Sequence, residues 1–436
     1  MNIIFLILVL VAAGFAGWRQ VFGVHVAGEP SPMEALSSAM VDSAGSAVEL
    51  AIGLVGVMAL FLGLMKVAEA GGMLQILSRL IRPLMIRLFP DVPADHPAMG
   101  AMVLNLSANA LGLGNAATPF GIRAMQELDK LNPHRGTATD AMVLFLAINT
   151  SSVTLLPTGV IALRAAAGSA APAAILPTTL FATIGSTCIA IVAAKLYRRL
   201  APIREAAATM DPTNLEKAEK EKAEKNDELG SIQVPDTGYP LWVSIMALTL
   251  LAAMIPLAVL YGHIVSPWIL PGLMVGFLVF GIVRKVRIYE VFVEGAKEGF
   301  QVALRIIPYL VAILVAVGML RASGALEMMV TLLGPVTSAF GLPAEALPMA
   351  LMRPLSGSGA YGILASIIND PAIGPDSYTG MLVSTLQGST ETTFYVMAVY
   401  FGAVQVRRVR HALAAGLTAD LAGVVFAIIA CSFLFR

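Results

Sequence analysis

Apolar runs of membrane-spanning length recur along this chain at residues 2–18, 47–66, 139–162, 171–197, 241–261, 267–283, 301–320, 381–404 and 412–435. A helix needs about 20 predominantly apolar residues to cross a hydrocarbon core of ~30 Å, so these runs predict about nine crossings. Two further stretches, 98–116 and 349–365, are apolar but rich in Gly, Ser, Asn and Pro. Each is a poor continuous helix and predicts a re-entrant hairpin. Residues 73–89 and 325–340 read as amphipathic helices lying in the membrane interface. The one long hydrophilic segment is 201–238, whose core Glu216–Lys225 alternates charge and predicts a solvated tether.

Two of the apolar runs are interrupted by polar tracts. Asn149, Thr150, Ser151, Ser152, Val153 and Thr154 break the run in the first half; Gly388, Ser389, Thr390, Glu391, Thr392 and Thr393 break its counterpart in the second. Polar groups inside a bilayer are tolerated where they face protein, a cavity or a ligand. A matched pair predicts a duplicated fold meeting at one central site.

The halves align with a shift of 252 residues, which places Gly72 on Gly324, Pro83 on Pro335 and Asp42 on Glu294. After one deletion Pro97 meets Pro348, and Leu106-Ser107 is followed in the other half by Leu355-Ser356. Basic residues change sides between the copies. Arg284, Lys285, Arg287 and Lys297 have only Arg19 opposite them, and Arg407, Arg408 and Arg410 answer a weakly charged stretch around Arg164–Ala170. Conversely, Arg79, Arg82 and Arg87 face an uncharged partner segment, and Arg123, Lys130 and Arg135 face Asp370 and Asp376. Because Lys and Arg collect in cytoplasmic loops, this flip predicts an inverted repeat. The expected organisation is a first repeat at 1–200, a cytoplasmic linker at 201–240, a connecting transmembrane helix at 241–262 and a second repeat at 263–436. The N-terminal run lacks a basic leader and reads as a retained first helix. The N-terminus and the 201–238 linker are expected in the cytoplasm and the C-terminus outside.

Composition supports a membrane class and excludes others. Of 436 residues 57% are hydrophobic and 13% charged, and mean hydropathy is +0.81, far too apolar for a soluble globule. The formal net charge is zero, so no basic footprint points to nucleic acid. Cys188 and Cys431 have no CxxC partner and no neighbouring histidine, and the five histidines show no metal-ligand spacing. No phosphate loop, nucleotide fingerprint or nucleophile elbow occurs, so an enzyme is not expected.

Glu391 is the sharpest chemical candidate. A carboxylate deep in an apolar run must be paired, protonated or solvated by a cavity, which suits a carrier of H⁺ or Na⁺; capping a broken half-helix is the bland alternative. Asn149, Thr150, Ser151, Ser152, Gln387, Ser389, Thr390 and Thr392 offer amides and hydroxyls to a neutral polar solute, or merely bond between helices. Asn105, Ser107, Asn109 and Asn115 in the first hairpin, and Ser356 and Ser358 in the second, are expected near the hairpin tips. Arg353 could clamp an anion, pair with Glu391 or snorkel to the interface. Asp420 stands out because apolar residues flank it.

At these motifs the chain resembles the spore maturation protein A and B families joined in one polypeptide. The first half resembles protein A through Ala47–Leu54, Gly63-Leu64-Met65-Lys66 and Asn109–Gly121; the second resembles protein B through Val293–Gly299, Arg353–Gly359 and Gly388–Tyr395. That family carries the nucleoside-recognition or gate domain, which is similar to parts of concentrative nucleoside transporters and of the ferrous iron permease. The resemblance implies hairpins and broken helices in an inverted repeat. The expected function is an inner-membrane secondary transporter for a small polar solute, nucleoside-like or another metabolite, working by alternating access, with no cofactor and with H⁺ or Na⁺ coupling through Glu391. A non-transporting envelope, spore-maturation or signalling protein and a divalent-metal permease are the alternatives. A homodimer or trimer would supply the fixed scaffold that such folds need.

Overall fold

A computed structural model describes residues 2–23, 30–200 and 238–435. The predicted tether at 201–238 thus falls almost entirely outside the described residues. The first half forms α1 (Asn2–Phe22), α2 (Pro32–Ala70), α3 (Met73–Leu88), α4 (Pro97–Ala110), α5 (Gly114–Lys130), α6 (Asp140–Thr150), α7 (Thr158–Ala166) and α8 (Leu176–Tyr197). The second forms α9 (Leu241–Val283), α10 (Ile288–Ser323), α11 (Ala325–Ala339), α12 (Leu347–Met352), α13 (Gly357–Ile368), α14 (Tyr378–Ser389), α15 (Thr393–Ala403) and α16 (Ala412–Leu434). The order repeats element for element: a long helix, an amphipathic helix, a hairpin, a broken helix and a final span.

Equivalent helices of the two halves pack against each other in opposite directions. Along α2 and α10, Gly299 meets Met58 and Ala59, Gly295 meets Leu62 and Lys66, and Gly318 meets Ser43, so numbers fall in one as they rise in the other. Along α8 and α16, Ser186 Oγ donates to the Ala419 carbonyl (2.7 Å), and Phe181 packs edge-on against Phe426. The repeat is therefore inverted, as the charge pattern predicted.

These pairings place the ends of the bundle. Asp140 at the start of α6 pairs with Arg198 (3.4 Å) beyond α8 and with Arg410 (2.7 Å) before α16, and the Arg407 and Arg408 amides donate to Gly136. At the other end Asp376 accepts from Ser169 Oγ and the Ala170 amide. The 22 residues of α8 join the two ends, a rise of about 33 Å that matches the hydrocarbon core. One end is thus rich in arginine. The 11-residue α6 starts there and stops about halfway across.

Among the described residues, α1, α2, α16 and the run Pro172–Tyr197 are each long and apolar enough to cross a membrane unaided. The predicted crossings at 139–162 and 381–404 are instead broken helices, α6–α7 and α14–α15. The helical run α9 covers both predicted segments 241–261 and 267–283. Straight, its 43 residues would span about 64 Å. Yet the Tyr239 amide donates to Arg79, the Ser244 hydroxyl to Leu80, and Arg284 beyond its other end to Gly71, so one end meets α3 and the other the corner just before it. The segment therefore doubles back, as two crossings require.

The glycines that aligned in the sequence explain the corners. Gly72 (φ 86°) and Gly324 (φ 82°) are left-handed, each turning a long helix into an amphipathic one; the chain bends by 81° at the second. A Cβ is costly in this conformation. Substituting Gly72→Ala or Gly324→Ala should each destabilise the protein by about 1–2 kcal/mol, lowering its detergent melting temperature. Gly14→Ala, in helical backbone with open space around it, should not.

Candidate functional site

Breaking a helix inside a membrane frees carbonyls at the end of one half and amides at the start of the next, and each must find a partner. Here the hairpins and the opposite repeat supply them. The Leu155 amide, in the first break, donates to Ala110 at the tip of the first hairpin (2.9 Å). Its counterpart Phe394, in the first turn of α15 just after the second break, donates to Pro354 in the tip of the second (3.2 Å). Between the repeats, the Glu391 amide donates to the Thr150 carbonyl (2.7 Å). Thr187 of α8 caps the Ser151 carbonyl through its hydroxyl. Each hairpin is thereby tied to its own break, and the two breaks to each other, near the middle of the bundle.

Their meeting encloses a cavity of about 210 Å³. Its polar wall includes Asn109 from the first hairpin, Thr154 from the first break, Arg353 and Tyr361 from the second hairpin, Gln387 at the end of α14 and Glu391 from the second break. Arg353 is 6% exposed; its Nη1 donates to Thr392 Oγ1 (3.2 Å), and its Nη2 stands 3.8 Å from Glu391 Oε2. Gln387 is 4% exposed and its Oε1 has no protein partner. The cavity thus presents a cation, a carboxylate and a free amide oxygen to whatever enters.

Of the alternatives left open for Glu391 (paired, protonated or solvated by a cavity), its geometry matches a carboxylate that faces the cavity with Arg353 close by. The Glu391 side chain is 55% exposed, because the extended backbone at the break turns it into the cavity. It is neither a helix cap nor lipid-facing: α15 is capped by no side chain.

Behind the cavity lies a second polar layer. Asn149 Oδ1 accepts from Asn109 Nδ2 (2.9 Å) and from the Tyr400 hydroxyl (3.3 Å), and that hydroxyl accepts from Asn105 Nδ2 (3.1 Å). Tyr400 comes from the opposite repeat and stacks on Phe145, centroids 6.0 Å apart. Asn105 and Asn109 thus share a face of α4, as residues four apart should.

The other expected site residues serve the scaffold. Ser107, two positions from each asparagine, faces away and bonds Ser78 and the Val103 carbonyl. Ser356 caps α13 by accepting from the Gly359 amide. The hydroxyls of Thr150 and Ser151 bond back to Ala147, and Ser389 bonds back to Leu386, the equivalent carbonyl. Ser152 and Thr390 are buried outside this cavity, Ser358 is half-buried, and Thr392 reaches it through Arg353. The side chain of Asn115 lies outside the described residues.

Two participants escaped the sequence reading. Tyr400 had no polar neighbours to mark it. Arg164, fully buried on α7, donates to Pro375 (2.6 Å), Ser384 (3.3 Å) and Asp376 (2.9 Å) of the opposite repeat. Arg164→Met should cost about 3 kcal/mol or more, since it leaves several acceptors unpaired. Asp376→Asn, at a partly solvated carboxylate, should cost less; thermal melting in detergent distinguishes them.

A family model described as Gate, nucleoside recognition, matches residues 51–203 and 303–407, more than half of the chain. The chain is 51% identical over 166 residues to spore maturation protein B of Bacillus subtilis (strain 168), spanning 38% of this chain and 92% of that protein. It is 47% identical over 169 residues to spore maturation protein A of the same organism, spanning 38% and 86%. Among solved structures, a doubly substituted CNTnw in an outward-facing state aligns over 100% of this chain and 97% of that one, with 14% identity and a TM-score of 0.44.

Proposed function

From the premise that this chain belongs to the nucleoside-recognition Gate family, alongside spore maturation proteins A and B, we propose that it carries a small polar solute across a bacterial inner membrane by alternating access. One observation carries the reading: the cavity sits where both breaks and both hairpins converge, and its Gln387 oxygen is buried without a partner. A buried polar atom left unpaired is costly unless a ligand or water fills it.

The lining chooses the solute class. Glu391 and Gln387 accept hydrogen bonds, Arg353 and Asn109 donate, and Tyr361 offers a ring. At about 210 Å³ the space is smaller than the ~300–1,000 Å³ of sites for drug-sized ligands. A compact metabolite with several N–H or O–H groups, such as a nucleoside-like molecule, matches this set. The bonds that hold each hairpin to its break are few, so one hairpin can part from the site while the antiparallel pairs α2–α10 and α8–α16 stay fixed.

The arginine-rich end, with Arg198, Arg407, Arg408 and Arg410, is the cytoplasmic end by the positive-inside rule. On this reading the N-terminus and the 201–238 linker lie inside and the C-terminus outside.

Purified protein should be screened by thermal shift against nucleosides, dipeptides, organic acids and metal ions. A true ligand at a hundred times its Kd adds about 2.7 kcal/mol of stability. The shift should vanish in Gln387→Ala and Glu391→Gln. Stabilisation by a metal ion alone supports a metal permease instead, and no response to any class favours a protein that does not transport.

A further inference from the structure

Arg353 also lines a second cavity. It holds about 300 Å³, and its polar wall is Arg353, Ser389, Thr390 and Asp420. The rest is apolar, including Leu351, Leu417 and Leu421, which face outward from the bundle. Asp420 is 5% exposed. Its Oδ2 accepts from Thr393 Oγ1 (2.7 Å), whereas its Oδ1 has no protein partner. Arg353 is equally incomplete, with Nε unpartnered.

Charge counting then becomes decisive. Arg353 lines both cavities, with Glu391 Oε2 3.8 Å from its Nη2 in one and Asp420 on the wall of the other. The elements packed on Asp420 bring no second cation: α14 and α15 carry no charged residue, only hydroxyls, an amide and the phenols of Tyr378, Tyr395 and Tyr400, and the charged residues of α6 and α8, Asp140 and Lys195, stand at helix ends. Glu391 is half exposed to its cavity, whereas Asp420 is buried with no cation within ion-pair distance among the described residues, and an uncompensated charge inside a bilayer is expensive. A metal cation is a poor remedy here. It wants several oxygens, and this wall offers one free carboxylate oxygen, two hydroxyls and a repelling arginine. A proton needs a single oxygen.

We propose that Asp420 is a proton-binding carboxyl, and that Arg353 is a shared counter-ion for which Asp420 and Glu391 compete across the wall between the two cavities. With the proton on Asp420, Arg353 is free to pair with Glu391 and hold the second hairpin on the solute site. When the proton leaves to water, Asp420 draws Arg353 back and Glu391 is released to the solute. Only the Asp420 O–H bond forms and breaks. As a coupling site this rests on the transport reading; as a proton site it rests on the cavity alone.

Infrared titration of the full chain in lipid nanodiscs, without any solute, tests it. The wild type should show a protonated-carboxyl band near neutral pH that is absent in Asp420→Asn. In Glu391→Gln the band should titrate away at lower pH, because Arg353 is left to Asp420 alone. Should Asp420→Asn fail to fold, Thr393→Val serves: losing the donor to the ionised oxygen should move the midpoint to higher pH. A band that survives Asp420→Asn, midpoints unmoved by Glu391→Gln or Thr393→Val, or loss of the band on adding Na⁺ at fixed pH would each overturn the proposal. If the band behaves as expected while no solute stabilises the protein, the transport reading fails and the proton site stands.

Discussion

A backbone amide or carbonyl cannot be left bare in hydrocarbon, and this fold is organised around two places where that rule is strained. α6 and α14 both stop about halfway across the bundle. Each break frees groups that its own helix cannot satisfy. The opposite repeat and the hairpins answer them, through Glu391 to Thr150, Leu155 to Ala110 and Phe394 to Pro354. The repeats therefore lock together at their weakest points, and the polar cavity is what remains between the locks.

The same economy governs the charges. Arg164 and Arg353 are buried arginines that reach across the structure, but they differ in completeness. Arg164 donates to acceptors on every side and joins the loop after α7 to the loop before α14. Arg353 holds one hydroxyl closely, a carboxylate at 3.8 Å and leaves Nε unused. A fully satisfied network rigidifies; a partly satisfied one is where a second state has room to exist. The static and the movable parts of the protein are separated in this way.

Much of this was legible in the residues. The Gly72 and Gly324 match reported a shared left-handed corner, and the polar tracts marked both breaks. Basic residues reported the inversion, because their side preference is a property of loops rather than of folded contacts. What resisted reading was direction. Ser107 sits between two asparagines in sequence but on the other face of α4, which becomes visible once 98–110 is read as a helix of period 3.6. The tract hydroxyls of Thr150, Ser151 and Ser389 looked available, yet they are spent on carbonyls of their own helices. Sequence left Glu391 to be paired, protonated or solvated by a cavity, and only the assembled repeats define the space it faces. Tyr400 and Arg164 act across the repeats, on partners more than 200 positions away, and no local pattern encodes that.

In an inverted repeat, equivalent segments of the two copies emerge on opposite sides of the membrane. Single cysteines at Ala170 and Arg407, which lie in the equivalent loops after α7 and α15, test it in whole cells once Cys188 and Cys431 are replaced by alanine. A membrane-impermeant maleimide should label Ala170→Cys from outside and reach Arg407→Cys only after the cells are opened. Labelling of both from the same side would contradict the inverted repeat and, with it, the shared cavity.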